Sequence, residues 1–352
     1  MKSWPSSVIG NPFPLKANAK KSFQGSIVLG KGFIITSKEA SALITKDPRN
    51  KNVLFPYLNG DDLNNDPKQK PSRWVINFFD WTEEEARTYP QCFEIVEQLV
   101  KPERMLQNDK GGKEKWWQFL RPRSELYETI SQLDQAMVVS LVSKYSAFEF
   151  APNNIVYMHK LGVIVLNDFR SFAILSSTLH NIWCWKNSST LGAGTLNYST
   201  TACFETFPFP VSKLPNDLSS CGEEYYTLRQ SIMKILQIGL TKLYNLFHDK
   251  LYDGDAAISI KELRDLHVKI DLAVLNSYGW SDILPRHDFY ELEYLPEKDR
   301  IRFTLHPEAR KEVLLRILEL NHSLYVVDQR SGNSIRKSSI NQETFPTLFD
   351  HS

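Results

Sequence analysis

Residues 101–123 (KPERMLQNDKGGKEKWWQFLRPR) hold seven Lys or Arg against three acids, a local charge of +4 in a chain whose formal net charge is +1. Aromatic side chains, Trp116, Trp117 and Phe119, are interleaved with these cations. Lys113, Lys115, Arg121 and Arg123 are candidates to sit on a phosphate backbone, where each cation displaces condensed counterions and adds affinity that does not depend on sequence. Trp116 and Trp117 are candidates to stack on bases or wedge between them. The same pattern also suits a solvated basic loop whose two tryptophans pack into a core. A second candidate follows the first strong strand signal, at Ser140–Tyr145 (SLVSKY). Strand alternation predicts Ser143 and Tyr145 on one side and Lys144 on the other. Side chains at a strand end can reach major-groove edges; Lys144 equally suits a sheet edge guarded against pairing.

Other chemistries lack their residues. A methyltransferase that uses S-adenosylmethionine needs a Gly-rich turn after its first strand, and one acting on amines an Asn/Asp-Pro-Pro-aromatic tetrapeptide. The nearest segment, Asn11-Pro12-Phe13-Pro14, lacks paired prolines and reads as an extended entry segment. No Glu-x-Lys triplet of the common metal-dependent nucleases occurs, and Asp66-Pro67-Lys68 sits among turn formers. The eight histidines never fall four apart, so none pair on a helix face to chelate zinc; His159 reads as a hydrogen-bonded core residue. Gly30-Lys31-Gly32 has no third glycine at the right offset and reads as a turn or bulge. The four cysteines form no Cys-x-x-Cys pair. With no apolar run near the ~18 residues of a membrane helix and no secretory pattern at the N-terminus, a cytoplasmic chain without a membrane partner is expected.

The elements that would position these residues are legible in outline. Residues 26–36 predict a hairpin or bulged strand, and Ser37 an N-cap. Residues 59–72 are turn formers and 73–81 strand-like. Thr82 and Glu85 form a capping box; Pro90 restarts that helix and Pro102 ends it. Strands are predicted across 136–166, one helix over Phe169–Trp185, and a loop over 186–200. A polar linker at 211–222 precedes apolar residues from Tyr225 to Leu246 at helical spacing, which predict one continuous spacer helix of roughly 26 residues and about 39 Å. Ser259 and Glu262 suggest a second capping box, on a helix ending near Gly279. Phe289–Leu305 is weakly strand-like, and Pro307 opens a helix lined by Val313, Leu314, Ile317 and Leu318. After about 330 the residues turn polar.

Seven segments in order, KSFQGSIVLGKGFIIT, KDPRNKNVLFPYLNGDDLN, PSRWVINFFDW, YPQCFEIVEQLVKPER, KEKWWQF, VSKYSAFEF and CFETFPFP, resemble the type IIG/IIL (MmeI-like) restriction-modification methyltransferases and their phage-defence relatives. The resemblance runs from about Pro14 to Pro210 and continues more weakly through residues 272–283 and 306–322. In that family a gamma-class adenine methyltransferase precedes a target recognition domain and C-terminal helices. The match begins after the point where the family's catalytic domain ends.

The resemblance implies an α+β chain: a mixed recognition domain at 1–211, a spacer helix at 223–250, a helical C-terminal domain at 251–330 and a disordered tail at 331–352. It implies a prokaryotic recognition module for double-stranded DNA with no catalytic residue, metal or cofactor of its own. S-adenosylmethionine is expected in a partner methyltransferase domain or subunit. It places specificity residues in the strands of the recognition domain, so Ser143, Lys144 and Tyr145 are expected near base edges. The alternative from a different class is a protein-interaction or inhibitory fragment of a broken methyltransferase gene.

Overall fold

The structure, a computed structural model, describes residues 10–192, 194–210 and 217–340. The chain is α+β, as expected. One antiparallel sheet runs in the order β1 (Ser22–Gln24), β9 (Leu161–Ile164), β5 (Gln135–Ser140), β7 (Phe148–Pro152). A second runs β2 (Ile34–Thr36), β4 (Arg73–Ile76), β3 (Leu54–Leu58), β8 (Val156–Tyr157), with only the β3–β8 pairing parallel. A short strand β6 (Val142–Ser143) is extended by the hairpin β10 (Ser189–Leu191) and β11 (Thr195–Asn197). The C-terminal part carries the hairpin β12 (Asp288–Glu291) and β13 (Ile301–Thr304). No helix among the described residues is long and apolar enough to cross a membrane.

Burial explains the strand sequences. Ala136, Met137, Val138 and Val139 of β5 are all buried, because this inner strand is covered on both faces and needs no alternation. Two apolar cores result. The smaller lies on the second sheet and gathers Phe33, Val75, Phe78, Phe93 and Val96. The larger joins the first sheet to Phe172, Leu175, Trp183, Tyr225, Ile260, Val274 and Val313. It therefore crosses the polar stretch 211–222, so a boundary in the sequence is not a break in the packing.

Local signals place most helix ends. The Thr82–Glu85 capping box forms, with the Glu85 amide donating to Thr82 Oγ1 at 3.2 Å and the Thr82 amide to Glu85 Oε2 at 2.8 Å. A matching box forms one residue earlier than expected, on Thr36 rather than Ser37, because Glu39 reaches back to the Thr36 amide at 2.7 Å. Pro102 opens the helix Lys101–Met105 rather than closing a region, since proline suits a first turn. The helix Ala257–Ser277 starts two residues before Ser259, so the second expected box does not form. The turn formers at 59–72 include a short helix, Gly60–Asn65, capped by Asn59.

Four expectations fail. Residues 26–36 form no hairpin: Ser26 and Ile27 bridge to Met158 and Arg121, a 3-10 turn follows at Lys31–Phe33, and β2 comes last. The helix predicted over Phe169–Trp185 is two, Phe169–Ser176 and Thr178–Asn187, separated by the cap residue Ser177, whose Oγ accepts from the His180 amide. The long spacer helix is also two, Asp217–Leu236 and Leu240–Phe247. Gln237 turns left-handed (φ 52°), and a side chain at Gly239 would lie 2.5 Å from the backbone of Asn64 and Asn65. Approach to the recognition fold breaks the helix, and its pieces pack into the core instead of spanning solvent. The helix Pro307–Ile340 continues past 331, where a tail was expected; residues 341–352 lie outside the described residues.

One buried ion pair ties the two halves. Arg229, on the helix Asp217–Leu236, donates to Glu149 Oε2 of β7 at 2.8 Å, with both side chains almost wholly buried. Gln230 donates to the same oxygen at 2.7 Å. Burial works against the Arg229 charge, but Glu149 opposite it, together with Tyr244 and Tyr225, outweighs burial and holds the guanidinium protonated. Replacing Glu149 by Ala leaves that cation without a counter-charge. We expect a loss of about 3–5 kcal/mol, read as a lower urea midpoint at unchanged slope. The double replacement Glu149→Leu with Arg229→Met should recover most of it, and a Glu149→Ala midpoint equal to wild type would refute the role given to the pair.

Candidate nucleic-acid interface

The basic stretch divides into charges used inside the fold and charges left outside. Arg104 is buried and donates to the carbonyls of Leu29 and Gln118, both at 3.0 Å. Lys101 lies over the Trp116 ring at 4.6 Å and pairs with Glu97. Lys110 pairs with Glu114 on its own short helix. Lys113, Lys115, Arg121 and Arg123 differ: among the described residues none has a carboxylate within ion-pair distance. Lys115 and Arg121 are exposed, Lys113 and Arg123 half-buried.

The backbone fixes the two arginines beside the first sheet. Arg121 exchanges both main-chain hydrogen bonds with Ile27, at 3.1 and 3.3 Å. Arg123 is left-handed (φ 64°) at the start of the helix Ser124–Ile130, a conformation that costs a non-glycine residue on the order of 1 kcal/mol. Its guanidinium donates to Gln24 Oε1 on β1, and Gln24 donates in turn to the carbonyl of His159. His159 is half-buried, and its Nδ1 is buried without a partner, unlike the hydrogen-bonded core residue expected. Beside it Lys160 is exposed. Arg121, Arg123 and Lys160 thus lie beside one polar sheet edge, while Lys113 and Lys115 lie on and at the end of the short helix Lys110–Glu114.

The tryptophans do not share this exposure. Trp116 is 3% exposed, edge-on to Phe93, and belongs to the smaller core. Trp117 is half-buried and donates its indole N–H to the Trp81 carbonyl at 2.9 Å. The candidate role of Trp116 in base stacking is therefore corrected: its faces are occupied by protein. Trp117 anchors the loop and offers only part of a ring.

The second candidate group is drawn inward as well. β6 ends at Ser143, so strand alternation stops there. Lys144 Nζ and Tyr145 OH both donate to Asn245 Oδ1 at 2.8 Å, so these two share a side, contrary to the expectation. Lys144 also pairs with Asp299 at 2.7 Å, and this holds the Asp299 carboxyl below its usual range although burial acts the other way. Arg302 donates to Tyr145 OH at 2.7 Å, and His248 stacks on its ring. Lys144 and Tyr145 thus join the recognition fold to the C-terminal part instead of facing outward. Ser143 pairs with Leu196 of the hairpin β10–β11. That hairpin lies where a loop was expected, and presents the polar side chains of Ser189, Thr190 and Asn197.

The Gly30–Gly32 turn and the Asn11–Pro14 segment are both packed into the fold. A side chain at Gly30 would lie 2.8 Å from Val100, and one at Gly32 2.5 Å from Leu99, so this turn is packed on a helix. Phe13 stacks on Tyr325 at 4.2 Å, and its amide donates to Asn321.

Residues 12–211 match the family described as MmeI, target recognition domain. No curated protein matches the chain. Among solved structures the fold is similar to that of the Type IIL restriction-modification enzyme MmeI in complex with DNA, with a TM-score of 0.59 and 18% sequence identity. That likeness covers 90% of this chain and 37% of that one, so the chain spans little more than a third of the enzyme it resembles.

The geometry makes Trp116 and Tyr145 structural residues. Trp116→Ala should cost about 3–5 kcal/mol by leaving a core cavity. Tyr145→Phe should cost about 1–3 kcal/mol, because Arg302 and Asn245 each lose a partner. Urea denaturation measures both; wild-type stability in either variant would return that residue to the free surface groups.

Proposed function

The chain belongs to the MmeI target recognition domain family, and from that premise we propose that it binds double-stranded DNA and reads a short site without carrying out chemistry on it. The observation that carries this reading is the set of four cations, Lys113, Lys115, Arg121 and Arg123, that the fold leaves without acidic partners while Arg104, Lys101 and Lys110 are engaged internally. Cations held apart from carboxylates keep their full attraction for phosphate, and Arg123 is set in a strained conformation that aims it at the sheet edge. Lys160 extends the same edge. The bases are read by the ribbon β6–β11–β10, since an antiparallel ribbon fits a major groove and Ser143 lies on its edge strand β6. In this reading Lys144 and Tyr145 fix where that ribbon sits.

Methyl transfer belongs to a separate methyltransferase domain or subunit, which supplies S-adenosylmethionine and to which this chain presents the DNA. The setting is a cytoplasmic restriction-modification or phage-defence system. The glycine turn at 30–32 and the Asn11–Pro14 segment support that division, because both are committed to packing.

Gel-shift titration across a salt series tests the proposal. Replacing all four cations by Gln should lower affinity and reduce the slope of log K against log salt by about 3–4, roughly 0.9 for each phosphate that is no longer neutralised. An unchanged slope removes these residues from the interface. Tight binding to a methyltransferase subunit by a wild-type chain that ignores DNA would replace the reading with that of a protein-interaction module.

A further inference from the structure

A cavity of about 70 Å³ lies between the 144–146 segment, the junction of the helices Phe169–Ser176 and Thr178–Asn187, and the hairpin β12–β13. A single water needs roughly 10–15 Å³ by this measure, so there is room for a small polyatomic group. No Asp or Glu lines it, while Lys144, Arg302, His248 and His267 do. Arg302 is 5% exposed, and Tyr145 OH is the one hydrogen-bond acceptor its guanidinium has among the described residues. No carboxylate is within ion-pair distance of it among those residues; Asp299 is taken up by Lys144. Behind the wall, both oxygens of Asp271 are engaged, one by the Thr178 amide at 2.7 Å and one by His287 at 2.7 Å.

Two further polar atoms of lining residues are buried without partners among the described residues, Ser176 Oγ and His267 Nδ1. Thr178 Oγ1 lies 2.9 Å from His267 Nε2; with Thr178 donating there, Nδ1 carries the ring proton and is a donor. A buried cation with no carboxylate in ion-pair contact and buried donors lacking acceptors are each costly to leave unmatched. Burial holds His248 neutral, and the charge of Arg302 acts in the same direction.

We propose that this cavity binds a phosphate-class oxyanion, held by Arg302 with Ser176 and His267. The anion is either free in solution or a phosphate of a bound duplex.

The test is a titration of the full chain with inorganic phosphate at constant ionic strength, read by thermal melting and by calorimetry. Saturable binding is expected. Arg302→Gln should weaken it about tenfold or more, as loss of a charged hydrogen bond does. Ser176→Val, which removes no existing hydrogen bond and places methyl groups in the cavity, should weaken it similarly and covers the case in which Arg302→Gln fails to fold. Gel shifts then separate the sources. Competition by phosphate against a duplex at matched ionic strength, with weaker duplex binding by Ser176→Val, assigns the cavity to a backbone phosphate. Phosphate binding without competition assigns it to a free anion. Absence of saturable phosphate binding by wild type, together with unaltered duplex binding by both variants, overturns the proposal and leaves the cavity to water. A chain that binds phosphate here but no duplex keeps this inference while losing the DNA reading.

Discussion

Burying the charge of Arg229 is the constraint on which the rest of the fold turns. A guanidinium removed from water is costly unless a carboxylate meets it with good geometry. Glu149 does so from the edge strand of the first sheet, and Gln230 fills out the same oxygen. The helix Asp217–Leu236 must therefore lie against β7, and the apolar residues on both sides of 211 fuse into one core. Tyr225 and Tyr244 follow, their hydroxyls 3.2 Å apart beside the guanidinium. Once these elements are fixed, Asn245 stands where Lys144 and Tyr145 can reach it.

The same matching of charge explains the surface. A count of basic residues in 101–123 overstates what is available outside, because the fold uses three of them for its own needs. Among the described residues the remainder have no carboxylate within ion-pair distance, and several acidic side chains elsewhere are engaged by partners of their own: Glu97 by Arg87, Asp282 by Arg316, Glu308 by Arg286. A net charge of +1 is thus compatible with a strongly basic edge.

Local rules carried the sequence reading a long way. Thr82 with Glu85, Pro90, the apolar run of β5 and the Val313–Leu318 stripe all form what they predict, since each is decided by neighbours in the chain. The resemblance over Pro14–Pro210 coincides with the family's match over 12–211. What could not be read was decided by distant backbone. Gly239 breaks a helix because Asn64 and Asn65 pass beside it, and nothing in residues 225–246 records that approach. Tyr145 turns inward because Arg302 and Asn245 wait for it, each a hundred or more positions away. For Trp116 and Trp117 the pattern allowed both a core and a surface role, and Lys101, Phe93 and the Trp81 carbonyl decided it.

Recognition and scaffold are consequently hard to separate in this chain. The ribbon β6–β11–β10 has only two residues in its edge strand β6, too few to hold a register alone. Its position is set on one side by Ser143 pairing with Leu196 and on the other by Lys144 and Tyr145, which are anchored to Asn245, Asp299 and Arg302. Those anchors all lie beyond 211. On the proposed reading the ribbon must be held to within about half an ångström to discriminate between bases, and the contacts that would supply that tolerance come from the C-terminal part. The unit of sequence that matches the family therefore ends at 211, whereas the mechanical unit that would present a ribbon to a groove extends at least to β13.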